Sequence, residues 1–167
     1  MKAARFSFLI AGICFALLAS FPATYGHAQT FAGKKALYID SYHEGYLWSD
    51  GIGRGVKKGF EGSGVELKII HMDTKRNGSE EFKQQAALKA KAEIEAFKPD
   101  VVIVSDDNAS RYVVVPYYKD SDLPFVFCGV DWDASAYGFP SKNITGMLEV
   151  TEITGLVEFD KVAHEYE

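Results

Sequence analysis

Residues 99–110 read PDVVIVSDDNAS, and this stretch decides the fold class. Residues 101–104 are four β-branched side chains in a row with no polar alternation. Such a run predicts a strand that is buried on both faces, as in a parallel sheet covered by helices on both sides. The polar residues 105–108 follow at once and predict a loop at the carboxyl end of that strand. A short helix is predicted to begin near Ala109.

The alternation of strand and helix continues on both sides of this stretch. Further strands are predicted at residues 35–40, 65–72, 125–128 and 144–150, and further helices at residues 48–60, 80–97 and 152–166. Ser79 is placed to cap the second of these helices. Strands that alternate with helices pair in parallel through right-handed crossovers. The sequence therefore predicts an α/β fold: a doubly wound, mostly parallel, flavodoxin-like sheet in three layers.

The N-terminal segment has the pattern of an export signal. Lys2 and Arg5 precede an uncharged apolar run at residues 6–19, and small residues flank His27 at residues 26–28. Basic, apolar and small residues in that order are typical of a secretory signal peptide. We expect residues 1–28 to be removed and the remainder to reach the periplasm without a membrane span. The alternative is an uncleaved N-terminal anchor, although the apolar run is shorter than the roughly 20 residues that a span needs.

Charge and cysteine content restrict the classes of partner and of fold. The chain has 23 acidic and 18 basic residues, and loss of Lys2 and Arg5 would leave it more acidic still. An acidic chain is a poor partner for nucleic acid or for an anionic membrane. Cys128 would be the only cysteine left after cleavage, so no internal disulfide is expected. Its apolar surroundings favour a buried strand residue over a reactive thiol.

Candidate binding residues follow the predicted strand ends. In an open parallel sheet, ligands bind outside the carboxyl ends of the strands. The residues singled out in the loops after the first, third and fourth predicted strands are Tyr42, His43, Tyr46, Asp106, Asp107, Asn108, Gly129, Val130, Asp131 and Trp132. Residues 129–132 are predicted to be an exit loop.

These residue types suit a small organic solute with an apolar body and a polar head. Tyrosine and tryptophan rings can stack on a flat ligand, the aspartates can hold a cationic or hydroxyl group, and backbone amides after Asn108 could hold a carboxylate. Each has a structural alternative. Asp106 or Asp107 could instead cap the following helix, Trp48 could be a core residue of its helix, and His43 could be an ordinary surface residue.

Motifs for catalysis are missing from the sequence. It has no glycine pattern of a dinucleotide or phosphate loop and no Gly-x-Ser-x-Gly elbow. The Asp106–Asp107 pair could in principle ligate a metal ion or resemble the acidic site of a receiver domain, but a receiver domain would be cytoplasmic. We therefore expect a binding protein rather than an enzyme, with no cofactor and no metal site.

Three segments resemble a known family. PDVVIVSDDNAS at 99–110, LPFVFCGVD at 123–131 and NITGMLEV at 143–150 resemble the substrate-binding proteins of ABC transporters that have a type I periplasmic-binding fold. The same module occurs as the extracytoplasmic sensor of some histidine kinases. The resemblance covers about residues 34–150.

The resemblance implies a two-lobed protein that traps a solute between its lobes. It places residues 29–150 in the N-terminal ligand-binding lobe and residues 151–167 at the start of a second lobe that the sequence truncates. The implied function is delivery of a small solute to an ABC permease. The alternatives are a sensor domain and, less favoured, an exported enzyme on a flavodoxin-like sheet. An aromatic amino acid fits the tyrosines and tryptophans, and a nucleobase-like or sugar-like solute fits nearly as well.

Overall fold

The computed structural model of the chain describes residues 31–150. The predicted signal peptide at residues 1–28 and the predicted start of a second lobe at residues 151–167 lie outside these described residues.

Five parallel strands form one sheet in the order β2-β1-β3-β4-β5. The strands are β1 (Lys35–Asp40), β2 (Glu66–His71), β3 (Val101–Ser105), β4 (Phe125–Asp131) and β5 (Ile144–Glu149). This order is the one found in flavodoxin-like folds. The prediction of a doubly wound, parallel α/β sheet in three layers is confirmed.

Helices cover both faces of the sheet. α1 (Leu47–Phe60) and α2 (Glu80–Phe97) follow β1 and β2. The segment after β3, here called α3, comprises an α-helical turn (Asp106–Ala109), a π-helical turn (Ser110–Val114) and a last turn (Val115–Tyr117). A short 3-10 turn, Ser135–Tyr137, precedes β5.

The main core lies between the sheet and the α2–α3 face. Leu37, Ile39, Val102 and Val104 alternate toward this face, where they meet alanines and Ile94 of α2. The opposite face carries Tyr38, whose ring lies beneath Gly53 of α1. The predicted Ser79 cap is present, because its hydroxyl accepts a hydrogen bond from the amide of Phe82. No side chain of β3 is exposed, as the β-branched run predicts.

Two predicted boundaries after strands are wrong. Asp106 begins a helix directly after β3, so residues 105–108 do not form a loop. β4 continues to Asp131, so Gly129, Val130 and Asp131 belong to the strand and not to an exit loop. A register shift between Phe127 and Val130 lets the strand resume pairing with β5 beyond the glycine. Sequence alone does not reveal such a bulge, because the partner strand sets it.

Candidate functional site

The carboxyl edge of the sheet carries the candidate site. The chain leaves β1 toward β2 on one side and leaves β3 toward β4 on the other, so the order of the strands reverses between β1 and β3. This reversal opens a crevice that is the usual ligand position in such sheets. Because β1, β3 and β4 run parallel, the three predicted groups of binding residues meet at this edge.

A buried layer of polar side chains forms the floor of the crevice. The hydroxyl of Ser41 donates to the Ser105 carbonyl (2.5 Å) and accepts from the amide of Ala109 (2.8 Å). The hydroxyl of Thr74 donates to the Ser41 carbonyl (2.5 Å), and the amide group of Asn108 donates to that hydroxyl (2.8 Å). The chain ends after β1, β2 and β3 are therefore locked together. The amide of Ala109, predicted as available for a ligand carboxylate, is already used.

Asp40 and His71 form a second polar group that sequence reasoning missed. Asp40 is fully buried, and its Oδ1 accepts from the amide of Tyr42 and the hydroxyl of Ser49, each at 3.0 Å. Its Oδ2 lies 2.8 Å from Nδ1 of His71. The two residues are register partners at the ends of β1 and β2. Only the pairing of the strands brings them together, and no sequence motif joins them.

Asp106 occupies the centre of the crevice, at the start of α3. Its side chain is only 5% exposed, and its backbone has a positive φ of 65°. A Cβ atom on Gly129 would lie 3.4 Å from Oδ1 of Asp106, so the bare glycine backbone leaves room for the carboxyl group. Oδ2 of Asp106 is buried and has no hydrogen-bond partner. The carboxyl group is therefore an acceptor whose bonding capacity is not filled.

The surroundings of Asp106 disfavour its charged form. Burial and the nearby Asp40 and Asp107 carboxylates raise the pKa of Asp106 to about 7, while polar hydrogens of Trp48 and Ser105 act in the opposite direction. At neutral pH both protonation states are populated, and either one can be selected by what binds nearby. Neither Asp106 nor Asp107 caps α3, whose N-cap position is Ser105 and carries no side-chain cap bond.

Asp107 is held by a residue from a distant loop. The hydroxyl of Tyr137 donates to Oδ1 of Asp107, and Nη2 of Arg111 donates to the same hydroxyl over 3.3 Å. Burial and the bond to Asp107 raise the pKa of Tyr137. Tyr137 lies in the short 3-10 turn before β5, 30 residues from Asp107 in the sequence, so no sequence signal indicated its role.

Aromatic rings form one wall of the crevice. The rings of Tyr42 and Tyr46 meet edge to face with centroids 5.4 Å apart, and the ring of His43 lies 5.8 Å from that of Tyr46. The ammonium of Lys75 lies 4.8 Å from the Tyr42 ring centroid. Burial first, and then the carboxylates of Asp106 and Asp107, raise the pKa of Tyr42. Tyr42 therefore lies near these aspartates, whereas Nδ1 of His43 is buried 3.7 Å from a carboxylate oxygen of Asp73.

Two tryptophans stand at the rim. Trp48, in the first turn of α1, is 43% exposed, so it is not a core residue, and Trp132, just after β4, is 58% exposed. Trp48 follows β1 and Trp132 follows β4, and in the sheet β3, which leads into Asp106, lies between these two strands. Val130 is fully buried in the core, which leaves only its backbone for a ligand, while Asp131 is exposed.

The thiol and the possible metal ligands among the described residues are not arranged for reaction. Burial raises the pKa of the Cys128 thiol to about 11, which disfavours the nucleophilic thiolate. Within residues 31–150 no three His, Cys, Asp or Glu side chains converge as a metal site would require. None of the helices described there is long and apolar enough to cross a membrane. A groove of about 300 Å³ lies between β2 and α2 and reaches the carboxyl end of β2 at His71 and Asp73.

Comparisons with known proteins identify this fold and no family. No protein-family model matches the sequence, and no curated protein matches it either. A solved structure from Streptococcus pneumonia, described as an ABC domain in complex with L-Trp, is similar over 69% of this chain, with 18% identity and a TM-score of 0.50. A conserved domain protein from Vibrio cholerae O1 biovar El Tor is similar over 77% of the chain, with 21% identity and a TM-score of 0.53.

The chain spans about two-fifths of the length of these two proteins, 38% and 43% respectively. At 18% and 21% identity the similarity shows a shared fold and nothing more specific.

Proposed function

We propose that this chain is a solute-binding lobe that holds a small organic molecule at the carboxyl edge of its sheet. The observation that carries the proposal is the buried carboxyl group of Asp106, whose Oδ2 has no hydrogen-bond partner, at the point where the strand order reverses. An unfilled buried acceptor is costly in a folded protein, and a bound ligand is a direct way to satisfy it. The proposal is binding without chemical conversion.

Aromatic and acidic groups together favour an amino acid or a related solute. Trp48 and Trp132 are exposed and follow β1 and β4, the strands on either side of β3, and aromatic rings can bury the flat apolar part of a ligand. The fold neighbour described as an ABC domain was solved with L-Trp, which makes an aromatic amino acid the first ligand to test.

We further propose that the protein works in the periplasm and passes its solute to an ABC permease. The order of basic, apolar and small residues in positions 1–28 supports export, and the description of the neighbour as an ABC domain supports transport. The open edge of residues 31–150 would then be one side of a cleft. Most of the ligand surface would be buried by a second lobe that closes over it.

A thermal-shift screen of the purified chain against amino acids, nucleobases and sugars tests the binding proposal. A ligand present at 100 times its Kd stabilises the folded state by about 2.7 kcal/mol and should raise Tm by about 5 °C or more. Trp132→Ala, at the rim, should reduce the shift. Asp122→Asn, in an exposed loop at the opposite edge of the sheet, should leave it unchanged. A cooperative melt that no ligand shifts would contradict the proposal.

A further inference from the structure

The carboxyl group of Asp106 is buried without a counter-charge. Its side chain is 5% exposed and Oδ2 has no hydrogen-bond partner. Among residues 31–150, no lysine, arginine or histidine forms an ion pair with Asp106, Asp107 or Asp131. Buried carboxylates are normally paired with a cation. Asp106 therefore has no cationic partner in direct contact among the described residues.

Two of the ionisable groups around Asp106, Asp40 and Asp107, carry negative charge, whereas Tyr38, Tyr42 and Cys128 are uncharged at neutral pH because their pKa values are raised. Asp40 and Tyr38 belong to β1, Tyr42 to the following loop, Asp107 to α3, and Cys128 to β4. Arg111 of α3 reaches Asp107 through the hydroxyl of Tyr137 and forms no ion pair with Asp106. His71 is engaged by Asp40 at 2.8 Å. The Lys75 ammonium lies over the rings of Tyr42 and Tyr46, 4.8 and 5.2 Å from their centroids. None of these groups supplies Asp106 with a positive partner.

We infer that the ligand of this site carries a protonated amine, that Asp106 binds that amine, and that Asp106 gives up its own proton when the ligand enters. The inference rests on the proposed solute-binding function and names its ligand class. The O–H bond of the Asp106 carboxyl group breaks, its proton passes to the buffer, and the ligand keeps its ammonium hydrogens. For each molecule in which Asp106 starts protonated, the products are an ion pair in the crevice and one free proton.

A protonated amine fits better than the other chemistries available. A ligand hydroxyl could bond to either form of the carboxyl group and would not need the charge. A ligand carboxylate would be repelled by the three aspartates, and the amide of Ala109 already donates to Ser41. A metal ion would need further ligands, and no such group converges within the described residues. The exposed rings of Trp48 and Trp132 suit an aromatic body attached to the amine.

Isothermal titration calorimetry of the full chain with three related probes tests the inference. Tryptamine carries the amine alone, L-tryptophan the amine and a carboxylate, and indole-3-propionate the carboxylate alone. We expect the two amines to bind, with tryptamine at least tenfold tighter than indole-3-propionate. Because the pKa of Asp106 is about 7, about half a proton should be released per ligand bound at pH 7. The binding enthalpies measured in phosphate and in Tris should therefore differ by about half the difference between the ionisation enthalpies of the two buffers. Below pH 6 the Kd for tryptamine should rise nearly tenfold for each unit by which the pH falls.

Asp106→Asn is the matched variant, because asparagine keeps the shape of the side chain and also tolerates a positive φ. It should abolish the proton release and weaken tryptamine binding by about 10- to 100-fold, as expected for loss of a charged hydrogen bond. Asp122→Asn, exposed and paired with Lys142, should behave as the wild type. The pH profile of the wild type needs no variant and tests the same point independently.

The outcomes separate this inference from the proposed function. Equal affinity for tryptamine and indole-3-propionate, amine binding without proton release, or a release that persists in Asp106→Asn would overturn the inference alone. The inference would also be wrong if the amines fail to bind while an uncharged ligand raises Tm and Trp132→Ala reduces that rise. If no ligand of any class shifts the melt, both the inference and the proposed function are wrong.

Discussion

At the scale of single residues, unusual backbone conformations concentrate at the carboxyl edge of the sheet. Of the five described non-glycine residues with positive φ, three lie there: Asp73 after β2, Asp106 after β3 and Trp132 after β4. Such conformations cost roughly 1–3 kcal/mol each and persist where the surrounding structure holds them. At Asp106 the backbone conformation coincides with burial of a carboxyl group. Two unfavourable features at one residue are more easily explained by function than by stability.

The raised pKa of Asp106 predicts how its substitution changes stability with pH. Its ordinary value is 3.8 and its folded value is about 7, so the folded state holds the proton more tightly than the unfolded state. The contribution of protonated Asp106 to the free energy of unfolding is fully present below about pH 4. It is lost as the pH rises to 7, and the loss amounts to about 4 kcal/mol. Asp106→Asn should therefore gain stability relative to the wild type across this window.

Urea denaturation at a series of pH values between 4 and 8 measures this difference. Asp122→Asn, in which an exposed carboxylate is replaced, serves as the control and should follow the wild-type curve. A constant difference between Asp106→Asn and the wild type over the whole window would show that Asp106 ionises normally in the folded protein.

At the scale of secondary-structure elements, glycines have opposite roles in β5 and in α1. A Cβ atom on Gly146 would overlap the backbone oxygen of its register partner, Phe127, so β5 can pair closely with β4 only if this position is glycine. A Cβ atom on Gly59 of α1 would meet no atom within 4 Å. The β4–β5 pair carries the register shift that brings Gly129 beneath Asp106, so its close pairing also shapes the candidate site.

Alanine substitutions at these two glycines should change stability in opposite directions. Gly146→Ala forces the strands apart and should lower the free energy of unfolding by about 2–3 kcal/mol. Gly59→Ala should raise it by about 0.5–1 kcal/mol, because alanine restricts the unfolded chain and favours a helix. Both values follow from the urea midpoint at constant slope. Equal effects of the two substitutions would mean that β4 and β5 do not pair in this register.

At the scale of the whole molecule, buried polar groups join the parts that surround the crevice. Asp40 links β1 to α1 through Ser49 and to β2 through His71. A longer contact of 3.4 Å from the Ser105 hydroxyl reaches β3, and the hydroxyl of Tyr38 lies 2.8 Å from the same serine oxygen. These side chains are held between the sheet and α1, so the shape of the crevice depends on packing throughout the lobe.

Removal of this central carboxylate should destabilise the entire lobe. Asp40→Ala leaves the Ser49 hydroxyl, the Tyr42 amide and His71 without their acceptor, and we expect a loss of about 3–5 kcal/mol, as found when one partner of a buried charged network is removed. Asp122→Ala, which breaks an exposed ion pair with Lys142, should change stability by less than about 0.5 kcal/mol. The urea midpoints of the two variants and the wild type provide the measurement, and similar midpoints for all three would contradict the role of Asp40.

The sequence alone predicted the alternation of strands and helices, the parallel sheet and the edge at which binding residues meet. These features depend on local patterns: the β-branched run at 101–104, the helical spacing from Trp48 to Phe60 and the cap at Ser79. A local pattern can be recognised from the sequence because residues that are close together along the chain determine it. The candidate residues Tyr42, Asp106, Asp107 and Asn108 were found in this way.

Tertiary structure decided which of those residues are buried, paired or free. The continuation of β4 through Gly129, the pairing of Asp40 with His71 and the bond from Tyr137 to Asp107 all depend on strand register or on a distant loop. The unfilled carboxyl group of Asp106 depends on all of its neighbours at once. Hydrophobic period is a property of successive residues, whereas burial and hydrogen bonding at this edge are set by contacts between segments far apart in the chain, and only folding brings those segments together.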